Sequence, residues 1–341
     1  MVTADWVRNR LRAVEDPEFG EDIVSLGLVT DIHLDDGAVA ISLAFNAPLS
    51  PDEWTMCDEI RALCRGSGLE PRIYADTTHD DGEFHGVKNT VAICGADTDA
   101  GTSIVTANLA VELAAIGARV GVLDIGCPDG RGTWLETVGP PELSPESIVP
   151  RTAYGIGVVR LATLVPTNES PPTGAAVLDL LLPKVTETLR WGPIDYLLVN
   201  LPQATGRNPR RSVEQLPTDG TIVVTPKSAD SAVTRALGDE LTTVGSTVIG
   251  VLETVDTPEV DDRVAETGRE TSELDWPFLG TAPLDRCVRP SICDDRSRRV
   301  TPALAGSSNA SAWSPFRALA VSITDRIGAV NRQSSARRQR S

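Results

Sequence analysis

Six short apolar runs recur along the chain: Thr90–Cys94, Val120–Asp124, Val158–Leu161, Tyr196–Asn200, Thr221–Thr225 and Val248–Leu252, with helix-patterned segments between them. Runs that are apolar throughout, rather than alternating, suit strands buried on both faces, and the helices between them supply the crossovers. The pattern predicts an α/β fold: a mostly parallel sheet with helices on both faces. Ligands in such sheets bind beyond the carboxyl ends of the strands. A length of 341 residues leaves room for a second, smaller domain. The N-terminal part supplies it as α+β: a helix over 5–14, a strand from Leu28 to Leu34, an Asp35-Asp36-Gly37 turn, a strand over Ala38–Phe45, a helix from Pro51 to Cys64 capped by Ser50, and a strand at Arg72–Tyr74. The expected organisation is a small domain over 1–76, a linker over 77–87, the large domain over 88–328 and a basic disordered tail over 329–341. The stretches from Pro140 to Pro150 and from Pro166 to Gly174 are rich in proline and are expected to be irregular.

The first run of the large domain leads into Gly95-Ala96-Asp97-Thr98-Asp99-Ala100-Gly101-Thr102-Ser103-Ile104 and then an amphipathic helix. Strand, glycine-containing loop and helix in that order form a phosphate-binding loop, whose backbone N–H groups surround phosphates while a lysine reaches their oxygens and the Ser/Thr hydroxyl binds magnesium. Gly101 and Ser103 stand in those places. The lysine position holds Thr102, and Asp97 and Asp99 sit in the turn. A carboxylate where an ammonium belongs reverses the sign of an interaction worth about 4 kcal/mol at 4 Å and an effective dielectric of 20. Weak or absent nucleotide binding is expected.

Four segments carry a family resemblance: Val87 to Gly126; Trp191 to Leu197 running into Val199-Asn200-Leu201-Pro202; Asp219 to Pro226 with Val248 to Glu253; and Phe278 to Asp285. They resemble the Mrp/ApbC iron–sulfur cluster carriers, within the deviant P-loop ATPases that also include the MinD and ParA proteins. Asp16-Pro17-Glu18 with Asp22 to Val29 is similar to the opening of the metal–sulfur cluster assembly domain that family members carry at the N-terminus. The resemblance implies a P-loop NTPase-like large domain, ATP, magnesium, a 4Fe-4S cluster and a dimer that closes across the nucleotide.

Position by position, the chain departs from what the resemblance implies. The nucleotide-site positions are Gly101, Thr102, Ser103, Ile104, Asp124 and Asn200. Both lysine positions are lost, one to Asp97 and the other to Thr102. Asn200 replaces the carboxylate that holds the magnesium water, and the switch that follows ends in Arg207 where the family has an acid. Ser103 and Asp124 are the chemically intact pair, and Asp129 is a candidate substitute for the second acid of that strand end. The span from Val255 to Asp275, where the family places a Cys-x-x-Cys pair, contains no cysteine. Ser50 stands before Pro51 where the small domain's reactive cysteine would fall. Cys287 and Cys293 would form a novel ligand pair, Cys57 and Cys64 read as core positions on one helix, and His79 and His85 as solvated linker residues, with a metal site beside Asp80 and Asp81 as the alternative. No catalytic residue, metal site or cofactor is expected.

Forty-eight acidic residues against 31 basic ones give a formal charge of −17, with three lysines in all. Such a surface repels itself in dilute buffer and is relieved by salt, which suits a halophilic source or an ordinary acidic protein. No apolar run approaches a membrane span, the N-terminus lacks an apolar core suited to a signal peptide, and the six cysteines read as reduced thiols; a cytoplasmic location is expected. Arg332, Arg337, Arg338 and Arg340 give the tail its charge. It reads as solvated, with contact to nucleic acid or an acidic partner as the alternative. Two functional readings stand. One is a pseudo-ATPase scaffold that acts through protein contacts, with an active Mrp paralogue or with itself. The other is a residual ATP-binding cluster carrier, or a ParA/MinD-like partitioning regulator.

Overall fold

The computed structural model describes residues 2–35, 37–75, 84, 86–97, 100–125, 135, 141–144, 146–164, 175–201, 209–255, 274–284 and 315–340. The chain divides into two compact units, one of Met1–Asp80 with Val321–Ser341 and one of Asp81–Ala320.

In the first unit, helix α1 (Ala4–Leu11) starts at Thr3, whose hydroxyl accepts the Trp6 N–H. Strands β1 (Val29–Asp35) and β2 (Ala38–Leu43) pair antiparallel, and β3 (Glu70–Ala75) joins β2 in parallel. Helix α2 (Pro51–Gly66) makes that crossover. Its start is the predicted one: Ser50 Oγ accepts the Glu53 N–H and Pro51 occupies the first turn, where its missing N–H costs nothing. Val7, Leu11, Ile23, Val39, Ile41, Leu43, Met56 and Ile60 form the core between helices and sheet.

The second unit is built on an eight-stranded sheet. Its strands are β4 (Val87–Gly95), β5 (Val120–Asp124), β8 (Arg151–Ala153), β9 (Ile156–Arg160), β10 (Ile194–Asn200), β11 (Gly220–Pro226), β12 (Val248–Val255) and β13 (Phe278–Pro283). Their order is β13-β12-β11-β4-β10-β5-β9-β8, parallel throughout except for the antiparallel edge strand β8. Helices α3 (Thr102–Ala115), α4 (Ala175–Thr188), α5 (Pro209–Glu214) and α6 (Ser231–Thr243) lie between strands. The α/β class and every predicted strand of this sheet are present. From β4 the chain first moves to β5, on one side of β4, and later to β11, on the other, so the switch in strand order falls at the end of β4.

Two expectations need correction. Within the proline-rich stretch at 140–150, β6 (Glu142–Leu143) and β7 (Ile148–Val149) form an antiparallel ladder, fixed at its turn by Ser144 hydroxyl bonds to Ser147. The basic tail at 329–341 is not a disordered segment: helix α7 (Pro315–Arg340) runs through it, Arg332 is wholly buried and Ala336 joins the core of the first unit. Composition misleads here because the Arg332 guanidinium meets Asp16 and Asp52, residues distant in sequence, which offset its desolvation. Most of the linker and the stretch from Pro166 to Gly174 lie outside the described residues.

Candidate nucleotide site

The predicted site residues converge at the carboxyl end of the sheet. Strand β4 ends at Gly95, the loop turns through Asp97, whose carbonyl accepts the Ala100 N–H at 3.2 Å, and α3 begins after Gly101. Gly101 has φ +72°, and a Cβ there would lie 2.7 Å from the Leu284 side chain, so both conformation and space require glycine. Its carbonyl accepts the N–H groups of Ile104 and Val105, which starts the helix. Thr102 is buried, with its methyl group against Gly95. Asp97 is exposed; Thr98 and Asp99 lie outside the described residues.

Asp124 and Asn200 end the neighbouring strands β5 and β10 and are paired in register, so their side chains meet. The Asn200 carboxamide donates to Asp124 Oδ1 at 2.8 Å and to Ser103 Oγ at 3.0 Å. Asn200 and Asp124 are both buried. An amide is suited to this place: it supplies two donors to two acceptors, whereas a second carboxylate beside Asp124 would leave two like charges in contact. The other amide atom, Asn200 Oδ1, is buried with no partner among the described residues. A hydroxyl bond from β12 also holds the loop: Thr254 Oγ1 donates to the Ala100 carbonyl at 3.1 Å. Beside it, Thr234 Oγ1 on α6 donates to Thr225 Oγ1 on β11 at 2.9 Å.

These residues do not fit magnesium and a triphosphate. The two oxygens that would serve the metal, on Ser103 and Asp124, are bridged by an uncharged donor group. Of the three lysines, Lys88 pairs with Asp195 at 3.0 Å at the amino end of the sheet and Lys184 lies beside Glu187 on α4. Lys227 follows β11 at the carboxyl end, where its backbone N–H donates to the Thr254 carbonyl. The sequence signal for it is only that it directly follows a strand end. Asp129, Arg207 and the span 256–273 lie outside the described residues, as do Cys287 and Cys293. Cys57 and Cys64 are on α2 as expected, Cys64 buried and Cys57 partly so, and burial pushes the Cys57 thiol up to about 11. Among the described residues no cluster of three or more His, Cys, Asp or Glu could hold a metal ion.

A family model described as the NUBPL iron-transfer P-loop NTPase matches residues 86–323. The chain belongs to that family. A second model, for an iron–sulfur cluster assembly protein, matches residues 4–59 of this NUBPL-type P-loop protein, so the Mrp/ApbC resemblance holds for both parts. Curated relatives include the iron–sulfur cluster carrier protein of Synechocystis sp., 27% identical over 316 residues that cover 85% of this chain and 89% of the relative. The iron–sulfur cluster carrier protein of Deinococcus radiodurans is 25% identical, with 95% of each chain covered. Among solved structures, the ADP complex of a nucleotide-binding protein from Archaeoglobus fulgidus gives a TM-score of 0.47 at 22% identity, covering 60% of this chain and 84% of that one. The MinD cell division protein of Aquifex aeolicus gives 0.45 at 16%, covering 74% and 96%. Among the described residues no helix of this family member is long and apolar enough to cross a membrane.

Proposed function

We propose that this iron–sulfur carrier family member is a pseudo-ATPase scaffold: it keeps the P-loop fold, has lost ATP hydrolysis and cluster transfer, and acts through protein contacts. One observation carries the reading. The Asn200 amide closes Ser103 and Asp124 into a hydrogen-bonded triad in the place where a magnesium ion would need two anionic or hydroxyl ligands. The absence of lysine at Asp97 and Thr102, and of cysteine between Val255 and Asp275, supports it from the sequence. The partner is a paralogue with intact motifs or a second copy of this chain, and assembly is expected near molar salt, where the acidic surface is screened.

The second reading, a residual nucleotide binder, is favoured by one feature, Lys227 at the carboxyl end of β11. Thermal melting with and without MgATP, at low salt and in molar KCl, separates the two. The scaffold reading expects no shift under either condition; a shift that disappears in Lys227→Ala supports the residual binder.

A further inference from the structure

The sheet of the first unit has the order β1-β2-β3, so β1 and β3 are its edges. The β1 edge is blocked: its register slips between Val29 and Asp31, and Arg8 Nη1 donates to the Val29 carbonyl at 3.1 Å. The β3 edge is open. Ala38 pairs in register with Glu70, and the Glu70 N–H donates to the Gly37 carbonyl, so Glu70, Arg72 and Tyr74 direct their backbone groups at β2. The backbone groups of Pro71, Ile73 and Ala75 therefore point away from the sheet, and among the described residues none of them meets a hydrogen-bond partner there. Ile73 packs toward the core in register with Ile41, which leaves Arg72 and Tyr74 on the outer face, where Tyr74 is 52% exposed. Their neighbours on β2, Ala40 and Ser42, are too small to cover them.

This edge is complementary to itself. Two β3 strands laid antiparallel about a two-fold at Ile73 join the Ile73 residues by a reciprocal pair of backbone hydrogen bonds. Each Pro71 carbonyl then accepts the Ala75 N–H of the other copy. Arg72 of one copy stands opposite Tyr74 of the other, at both ends of the axis, in the closer, non-hydrogen-bonded position where a guanidinium can lie on an aromatic ring. Proline and charged residues ordinarily protect an edge strand, but Pro71 here selects a register: a two-fold at Pro71 would have no donor at its axis, whereas one at Ile73 keeps both. We propose that β3 is a homodimer surface, on which a second copy of this chain adds its own β3 and continues the sheet across the two-fold. Glu70 and the formal charge of −17 oppose the contact in dilute buffer, so it forms in molar salt. The surface belongs to the first unit and stands whether or not the large unit takes nucleotide.

Sedimentation velocity of the full-length protein in molar KCl tests this with two variants, both at exposed positions of the outer face. The natural sequence is expected to pass from monomer to dimer as its concentration rises. Tyr74→Arg sets arginine opposite arginine at both contacts and is expected to weaken the dimer at least about tenfold. Arg72→Glu combined with Tyr74→Arg opposes unlike charges again, and is expected to bring association back to within about threefold of the natural chain. That rescue reads the register itself, because the two-fold at Ile73 is what sets position 72 of one copy against position 74 of the other. A natural chain that stays monomeric at its highest soluble concentration would overturn the proposal. So would a dimer that Tyr74→Arg leaves unchanged, or one that the second substitution fails to restore.

Discussion

Asn200 and Asp124 face each other across β10 and β5 with the amide nitrogen 2.8 Å from the carboxylate, and the same amide reaches Ser103 at 3.0 Å. The contact places an uncharged donor between two acceptors at the loop. Asn200→Asp should therefore lower the melting temperature by several degrees at pH 8. Two unit charges 4 Å apart at an effective dielectric of 20 repel by about 4 kcal/mol. Melting curves of both proteins at pH 8 check this; an unchanged melting temperature would mean that the triad does not set local stability.

Asp195 anchors the other end of the same strand. Burial alone would raise its pKa, but hydrogen bonds from the Arg119 side chain and backbone, and then Lys88, lower it from 3.8 to about 2. A depressed carboxylate contributes stability that is present above pH 4 and is lost as pH falls toward 2. Asp195→Asn should cost about 2 kcal/mol at neutral pH, as expected when a charged hydrogen-bonding group is removed from cationic partners. It should also flatten the acid limb of the stability curve. Urea titrations at pH 7 and pH 3 measure both effects.

The fold was legible because strands buried on both faces must be apolar throughout; Val87–Gly95 and Ile194–Asn200 announce themselves this way. The α2 start was legible because Ser50 and Pro51 act locally. What stayed hidden depends on contacts remote in sequence. Nothing local to Arg332 distinguishes it from Arg337, yet one is buried against Asp16 and the other is exposed. The bridging role of Asn200 likewise follows only from the register that sets it beside Asp124. The antiparallel edge strand β8 is three residues long, too short to show a period.

The acid group around Arg332 should give the first unit an unusual pH response. Burial outweighs the attraction of Arg332 and pushes the Glu53 carboxyl up from 4.5 to about 8. The folded state then holds a proton that the unfolded chain releases between those values. Stability should accordingly fall as pH rises from about 4.5 to 8, by at most about 1.4 kcal/mol per pH unit. Glu53→Gln should remove that slope. Denaturant titration of the full chain followed by circular dichroism compares the two proteins; equal slopes would contradict the assignment.

Cluster chemistry offers an independent check on the scaffold reading. Anaerobic incubation with iron and sulfide should leave no stable absorbance from a 4Fe-4S cluster, since the span from Val255 to Asp275 supplies no thiolate. A stoichiometric cluster that is lost in Cys287→Ser or Cys293→Ser would make that pair the ligands and restore a carrier function.

Isothermal titration of the full-length protein with MgATP in molar KCl asks whether this P-loop takes a triphosphate. No measurable heat of binding is expected for the natural sequence up to millimolar nucleotide. Recovered affinity is expected in a chain carrying Asp97→Lys, Thr102→Lys and Asn200→Asp, because the Gly101 turn and the start of α3 are still formed. A dissociation constant near 1 μM for the natural sequence, equivalent to about −8.2 kcal/mol, would contradict the scaffold reading.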